Sequence, residues 1–284
     1  MHRPRTLHAA AELDGRIYVV GGLGESGSSL EVYDIEDDAW TELPAMPTPR
    51  AGLAAVGAGG LLYAIGGHAP EYEHVATVER YDPASREWTR LANLPRPSAG
   101  LAAVEVAGLI HVIHPDGRLD AYDPASNQWT PRARMLSSNS NVGAGVHRGK
   151  IYAWGSSWPE PGRIEEYDPA SDQWRALAES PRFQGAGGAV TMIGGVLLEF
   201  GGFNPLNLDG VSGTVQAYWV LRDRFDPGGG TMYAHADDGY PGDYGHAAVG
   251  VEIDGYYRTF VLGTGRFTEE YVMSTGLWRR DVDP

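Results

Sequence analysis

Three features of the sequence predict an all-β chain built from a repeated four-stranded unit. The stretch "ERYDPASREWTRL" (79–91) returns as "VYDIEDDAWTEL" from Val32, "AYDPASNQWTP" from Ala121 and "EYDPASDQWRAL" from Glu166. Tyr33–Trp40, Tyr81–Trp88, Tyr122–Trp129 and Tyr167–Trp174 are each seven apart. Upstream lies an apolar run closed by two glycines, as in "RIYVVGG", "LLYAIGG" and "VLLEFGG", and a short alternating run such as "AGLAAVGA" completes the unit.

Each element follows from its residues. β-Branched, aromatic and alternating runs give four short strands per unit: a ("AGLAAV"), b ("LLYAIGG"), c ("TVERYD") and d ("EWTRL"). Asp-Pro-Ala-Ser between c and d puts Asp and Pro where a type I turn prefers them. Two degenerate copies carry Tyr218–Phe225 and Tyr271–Trp278 at the same spacing, giving six units of about 47 residues. Four-stranded repeats of this period are propeller blades. The expected architecture is a six-bladed β-propeller over 1–284, four antiparallel strands per blade. The blades fall near 5–44, 50–92, 97–132, 139–178, 184–234 and 243–282, each continuous in sequence. The chain starts in strand a and ends in strand d, so blades one and six should meet by side-chain packing alone. The motif Tyr and Trp rings should pack between blades, with the glycines letting backbone come close to those rings.

The bulk composition narrows the function classes. A net charge of −15 disfavours nucleic acid and anionic membrane as partners. No cysteine is present, which removes disulfides, thiolate metal sites and cysteine nucleophiles. The chain is short of an apolar run of roughly 18 residues. "MHRPRTLHAA" has no apolar leader core, so a cytoplasmic location is expected. Nearly all cations are arginine, Lys150 being the single lysine.

The pair of glycines, the Tyr-Asp and the Trp seven residues after the Tyr resemble the kelch repeat across nearly the whole chain. Blades three, four and six depart at the glycine pair, with His114-Pro115, Gly155-Ser156 and Gly263-Thr264. The resemblance implies several functions. Kelch adaptors present Arg, Ser and Asn at a propeller mouth to acidic peptides. The bacterial sialic acid mutarotase is a six-bladed kelch protein acting on an anionic sugar. Galactose oxidase needs a cysteine-linked tyrosine, which this chain lacks. The Glu-x3-Asp-x3-His iron pattern of nitrile-specifier proteins is also missing.

Loop lengths choose the face. The a–b and c–d connections are uniformly tight. The gaps from the glycine-pair position to the motif Tyr run 11, 14, 7, 11, 16 and 7 residues, and variable loops on a rigid scaffold carry binding. Ten residues on from the motif Trp stand Arg50, Ser98, Asn139 and Gln184; Arg5 takes the place in blade one and Asp243, after a longer loop, in blade six, which completes a polar ring. One reading is a hydrated channel rim. The other is a pocket in which Arg5 and Arg50 hold an anion while Ser98, Asn139 and Gln184 orient it. His68, Tyr72, His74, Trp158, Phe203, Tyr244 and Arg266 add aromatic, imidazole and guanidinium groups around it.

The segment "DPGGGTMYAHADDGYPGDYGH" holds His235, Asp237, Asp238, Asp243 and His246. His235, Asp237 and Asp238 are the candidate ligands for a divalent metal, against a plain polar loop; no cofactor is otherwise expected. The leading expectation is a binding propeller for a small carboxylate-bearing molecule or an acidic peptide. The alternative is an isomerase or mutarotase on a polar sugar, with Asp243, His246, His68 and Asp238 as acid–base candidates.

Overall fold

The computed structural model describes residues 1–3, 5–24, 27–138, 141–157, 160–179, 189–200, 215–225, 247–253, 256–262, 268–272 and 277–280. These form an all-β propeller of four-stranded antiparallel blades, arranged in six sheets, each ordered as in sequence. The first holds β1 (Ala9–Leu13), β2 (Arg16–Val20), β3 (Leu30–Asp34) and β4 (Ala39–Leu43). The second holds β5 (Ala54–Ala58), β6 (Leu61–Ile65), β7 (Val78–Asp82) and β8 (Glu87–Arg90). The third holds β9 (Ala102–Val106), β10 (Leu109–Ile113), β11 (Leu119–Asp123) and β12 (Gln128–Arg132). The fourth holds β13 (Asn141–His147), β14 (Lys150–Ser157), β15 (Glu160–Asp168) and β16 (Gln173–Glu179). The fifth holds β17 (Ala189–Ile193), β18 (Val196–Phe200), β19 (Val215–Trp219) and β20 (Arg224–Phe225). The sixth holds β21 (Ala247–Ile253), β22 (Tyr256–Leu262), β23 (Thr268–Val272) and β24 (Leu277–Arg280).

Among the described residues no sheet mixes N- and C-terminal strands. The first and sixth sheets meet through a buried cluster of Ile17, Val19, Tyr33, Val249, Val251, Phe260 and Leu262. Tyr33 lies edge-on to Phe260 at 6.0 Å. The same aromatic step joins the second blade to the third (Tyr63–Tyr122, 6.3 Å) and the third to the fourth (His111–Tyr167, 6.0 Å).

The seven-residue spacing has a specific cause. Strand pairing sets Tyr33 opposite Trp40, Tyr81 opposite Trp88, Tyr122 opposite Trp129 and Tyr167 opposite Trp174. Each indole then reaches the preceding blade. Nε1 of Trp88, Trp129 and Trp174 donates to the carbonyls of Pro44 (2.8 Å), Ala92 (3.1 Å) and Ala133 (2.8 Å). Five residues after the Tyr, the chain passes through left-handed backbone at Asp38, Arg86, Asn127, Asp172 and Asp223. Asn127 and Asp172 close the latch. Each accepts the hydroxyl of its own blade's Tyr (Tyr122, 2.8 Å; Tyr167, 2.7 Å) and the backbone N–H of Ala92 or Ala133 next door, both at 2.9 Å. The hydroxyls of Tyr33 and Tyr218 donate likewise to Asp38 and Asp223.

The second blade breaks this rule, and a prediction follows. Arg86 has no acceptor to offer; its guanidinium stands near the buried Tyr81 hydroxyl, which makes no hydrogen bond of good geometry among the described residues. Arg86 also sits at φ 60°, where asparagine is better tolerated. Arg86→Asn should therefore raise stability by about 1 kcal/mol in urea unfolding. An unchanged midpoint would show that the fifth residue after the Tyr is only a turn position.

Two expectations need correction. The glycines do not make room for the rings. A Cβ on Gly66 (φ 61°) would lie 2.5 Å from Leu101 and 2.7 Å from the Ser98 carbonyl, so the close approach is to the next blade's chain. Moreover, most of the 11-residue gap in the fourth blade is strand rather than loop. With Gly155-Ser156 in place of two glycines, β14 continues to Ser157 and pairs with β15 at Glu160, with a register shift between Gly155 and Ser157.

Candidate functional site at the channel mouth

The innermost strands build the channel. Alternate residues of each point to the axis, and the pairing registers place Ala10, Ala55, Ala103, Ala144, Val190 and Ala248 at one level. Small side chains leave a cavity of about 460 Å3 open, from Leu7, Gly52 and Gly100 at one end to Glu12 and Glu105 at the other. At the first end the chain turns through left-handed backbone at Leu7, Gly52 and Gly100. Gly52 N–H donates to the Leu7 carbonyl at 2.8 Å, and Gly100 N–H to the Gly52 carbonyl at 2.9 Å. A backbone chain of hydrogen bonds thus stitches three blades along the rim.

The arginines expected to hold an anion do something else. Arg5 and Arg50 are 2% and 1% exposed. Arg5 pairs with Glu31, and Arg50 with Glu79, in buried ion pairs. Arg50 also donates to the carbonyls of Gly66 (2.9 Å), Thr48 (2.8 Å) and Ala64 (2.9 Å). Arg5 donates to those of Gly21 (3.3 Å) and Ser29 (3.4 Å). Burial lowers the pKa of both guanidinium groups, and their glutamates oppose that shift. Their donors are directed at the protein itself, so the assignment of Arg5 and Arg50 as ligand cations is corrected: they tie strand c to the start of strand a. Ser98 takes the same place in the third blade and is likewise buried, its carbonyl accepting from Gly67 N–H at 2.8 Å.

The partners of these arginines were legible and passed over. The residue two before the motif Tyr is Glu31, Glu79, Asp120 and Glu165 in the first four blades, all buried. Where the arginine is missing, other polar groups stand beside the acid. In the third blade His114 Nε2 lies 3.0 Å from Asp120 without hydrogen-bond geometry, and the Arg118 guanidinium stands 3.9 Å away. In the fourth, the Leu136 N–H (2.8 Å) and the Ser137 hydroxyl serve Glu165. In the fifth blade the position is Gln216, and its Nε2 stands 3.4 Å from the buried carboxyl of Glu199.

His68 behaves differently. It is held in isolated bridges to Ala51 and His74, just above Gly52. A Cβ on Gly52 would come 3.2 Å from its ring. Its Nδ1 lies 3.2 Å from the Ala69 carbonyl. Tyr72 stacks on it with centroids 5.1 Å apart and planes 25° from parallel. His68 is 8% exposed and Tyr72 69%, so the imidazole forms the floor and the phenol faces solvent. Tyr72 takes φ 63°, an unfavourable conformation for an aromatic residue. Backbone bonds enforce it: Ala69 N–H to Glu73 O (2.8 Å), Tyr72 N–H to Ala69 O (2.9 Å) and Val75 N–H to Gly67 O (2.9 Å).

Asn139, Trp158, Gln184, Phe203, His235, Asp237, Asp238, Asp243, Tyr244, His246 and Arg266 lie outside the described residues. Among the described ones, His2, Glu31 and Glu42 have ligand atoms within 4.8 Å of one another. Arg5 already pairs with Glu31 and Arg3 with Glu42, so both carboxylates are neutralised there. No helix among the described residues is long and apolar enough to cross a membrane.

A propeller with a latch of this kind defines a class, and sequence comparison names the family. Residues 4–47 and 49–95 match the Kelch motif. The first two blades, about a third of the chain, are therefore kelch repeats. It is 45% identical to Kelch-like protein 40 of Mus musculus over 71 residues, 24% of this chain and 11% of that protein. It is 40% identical to Beta-scruin of Limulus polyphemus over 70 residues, 24% of this chain and 8% of that one. The chain therefore spans a small part of the length of the curated relatives it matches. The solved structure of YjhT superposes with a TM-score of 0.77 at 16% identity, covering 98% of each chain, a likeness of fold.

Proposed function

We propose that this protein is a six-bladed kelch binding propeller that takes a protein segment on the face carrying the b–c and d–a loops, centred on Tyr72 and His68. One observation carries the reading: an exposed aromatic ring is held in an unfavourable backbone conformation, on a hydrogen-bonded loop, beside the open channel. Rigid, solvent-facing tyrosines favour binding because they offer apolar area and a hydroxyl at small entropic cost. The expected preference for a small carboxylate-bearing molecule or acidic peptide rested on Arg5 and Arg50, and with both engaged internally it is not carried forward. The isomerase alternative rests on residues outside the described set, apart from His68, and no observation favours it.

A photo-crosslinking residue tests the reading when placed at Tyr72 and, separately, at Leu221, which is 66% exposed in the c–d connection of the fifth blade on the opposite face. The expected result is one discrete protein adduct from position 72 in cells and none from position 221. No adduct at 72, or the same adducts at both positions, contradicts the proposal.

A further inference from the structure

Tyr72 is flanked by Glu71 and Glu73, and all three are exposed. Neither carboxylate has an ion-pair partner among the described residues, in contrast to Glu31 and Glu79, which the buried arginines neutralise. The turn therefore shows the solvent an open phenol face with an uncompensated carboxylate on each side. The whole chain carries −15, so the long-range field has the same sign as the local one. Resting on the binding reading above, we infer that the partner presents a basic segment, with an arginine stacked on Tyr72 and paired with Glu71 or Glu73.

Guanidinium suits this turn better than any other side chain. It is planar, so it lies against the free face of the phenol while its edge donates to a carboxylate. Bidentate carboxylate pairing adds orientation to attraction. The other face of the phenol is already covered by His68, which leaves a single stacking surface. The hydrogen-bonded turn presets that geometry before the partner arrives, which reduces the ordering cost of binding. An acidic segment would instead meet two like charges and the field of the whole chain.

The test uses the full chain and a fluorescein-labelled peptide of arginine, glycine and serine, with a counterpart carrying aspartate for arginine, at physiological salt. Tyr72 and both glutamates are exposed, so Tyr72→Ala and the double variant Glu71→Gln/Glu73→Gln should keep the wild-type thermal midpoint. The arginine peptide is expected to bind wild type, to weaken about tenfold with either variant, and to outcompete the aspartate peptide. Equal affinity for wild type and variants would overturn the inference, because attraction would then come from net charge alone. Absence of arginine-peptide binding would also overturn it. Tyr72-dependent binding of the aspartate peptide would overturn the basic partner while leaving the binding face intact. Loss of the position-72 crosslink would remove the binding face itself.

Discussion

Between pH about 4.5 and about 8, Glu199 is expected to lower the stability of this protein progressively, and Glu199→Gln to remove that contribution. Glu199 occupies a β18 position that holds Val19, Ala64, Val112, Ala153 and Val261 in the other five sheets. Burial alone pushes its carboxyl from 4.5 up to about 8. The sign follows from which state keeps the proton. Below pH 4.5 the group is neutral folded and unfolded. Above it, the unfolded chain ionises while the folded chain holds its proton until pH about 8, so rising pH favours unfolding. The slope is roughly 1.4 kcal/mol per pH unit, on the order of 4 kcal/mol across the interval. Glutamine keeps the shape and the amide contact with Gln216 while removing the titration. Carboxylates whose pKa is lowered, such as Asp82, Asp123 and Asp172, act at more acidic pH, while His111 and His147, whose pKa burial lowers, favour folding as pH rises towards 6.5 and oppose Glu199 in the lower part of the window, so the difference between wild type and Glu199→Gln is the quantity to read. Urea unfolding at several pH values checks it. Parallel pH profiles for wild type and Glu199→Gln would contradict the assignment.

The second large effect concerns Arg50. Arg50→Met should cost about 3–5 kcal/mol, because it leaves Glu79 buried within the second blade with its charge uncompensated. The three carbonyls that Arg50 serves lose donors as well. Replacing both partners, Arg50→Met with Glu79→Leu, should recover most of the loss, since an apolar pair of similar volume leaves no buried charge. Thermal unfolding of the three variants forms the cycle. If Arg50→Met keeps wild-type stability, the guanidinium is not a structural tie.

These effects show what could be read from the chain. The Tyr–Trp spacing gave the strands, because two residues facing each other across a type I turn must keep one separation. Tyr33, Tyr81, Tyr122 and Tyr167 all landed opposite their Trp partners. The partner of each ring was not legible. The Trp88 indole bonds to Pro44, 44 residues away, and nothing local encodes that pairing. Of the polar ring at the start of strand a, the described members Arg5, Arg50 and Ser98 are buried, and that burial was not legible. A polar residue at a strand start faces either the channel or the seam, and the sequence of one strand does not distinguish them. The acids two before each Tyr carried the missing information, since an arginine ring matched by an acid ring indicates internal pairing. Glu199 was visible in "VLLEFGG" as a carboxylate where the sister runs are apolar. Tyr72 was legible as a loop aromatic. Its left-handed backbone was not, because that conformation comes from bonds between Gly67, Ala69, Glu73 and Val75.

The division of labour between arginines and aromatic loop is tested most directly by measuring affinity and thermal midpoint together. The partner captured at position 72 is titrated against wild type, Tyr72→Ala and Arg50→Lys, at a temperature where all three are folded. The account predicts that Tyr72→Ala loses binding at an unchanged midpoint, and that Arg50→Lys lowers the midpoint at an unchanged affinity. The reverse outcome, with binding lost on Arg50→Lys and kept on Tyr72→Ala, would contradict it.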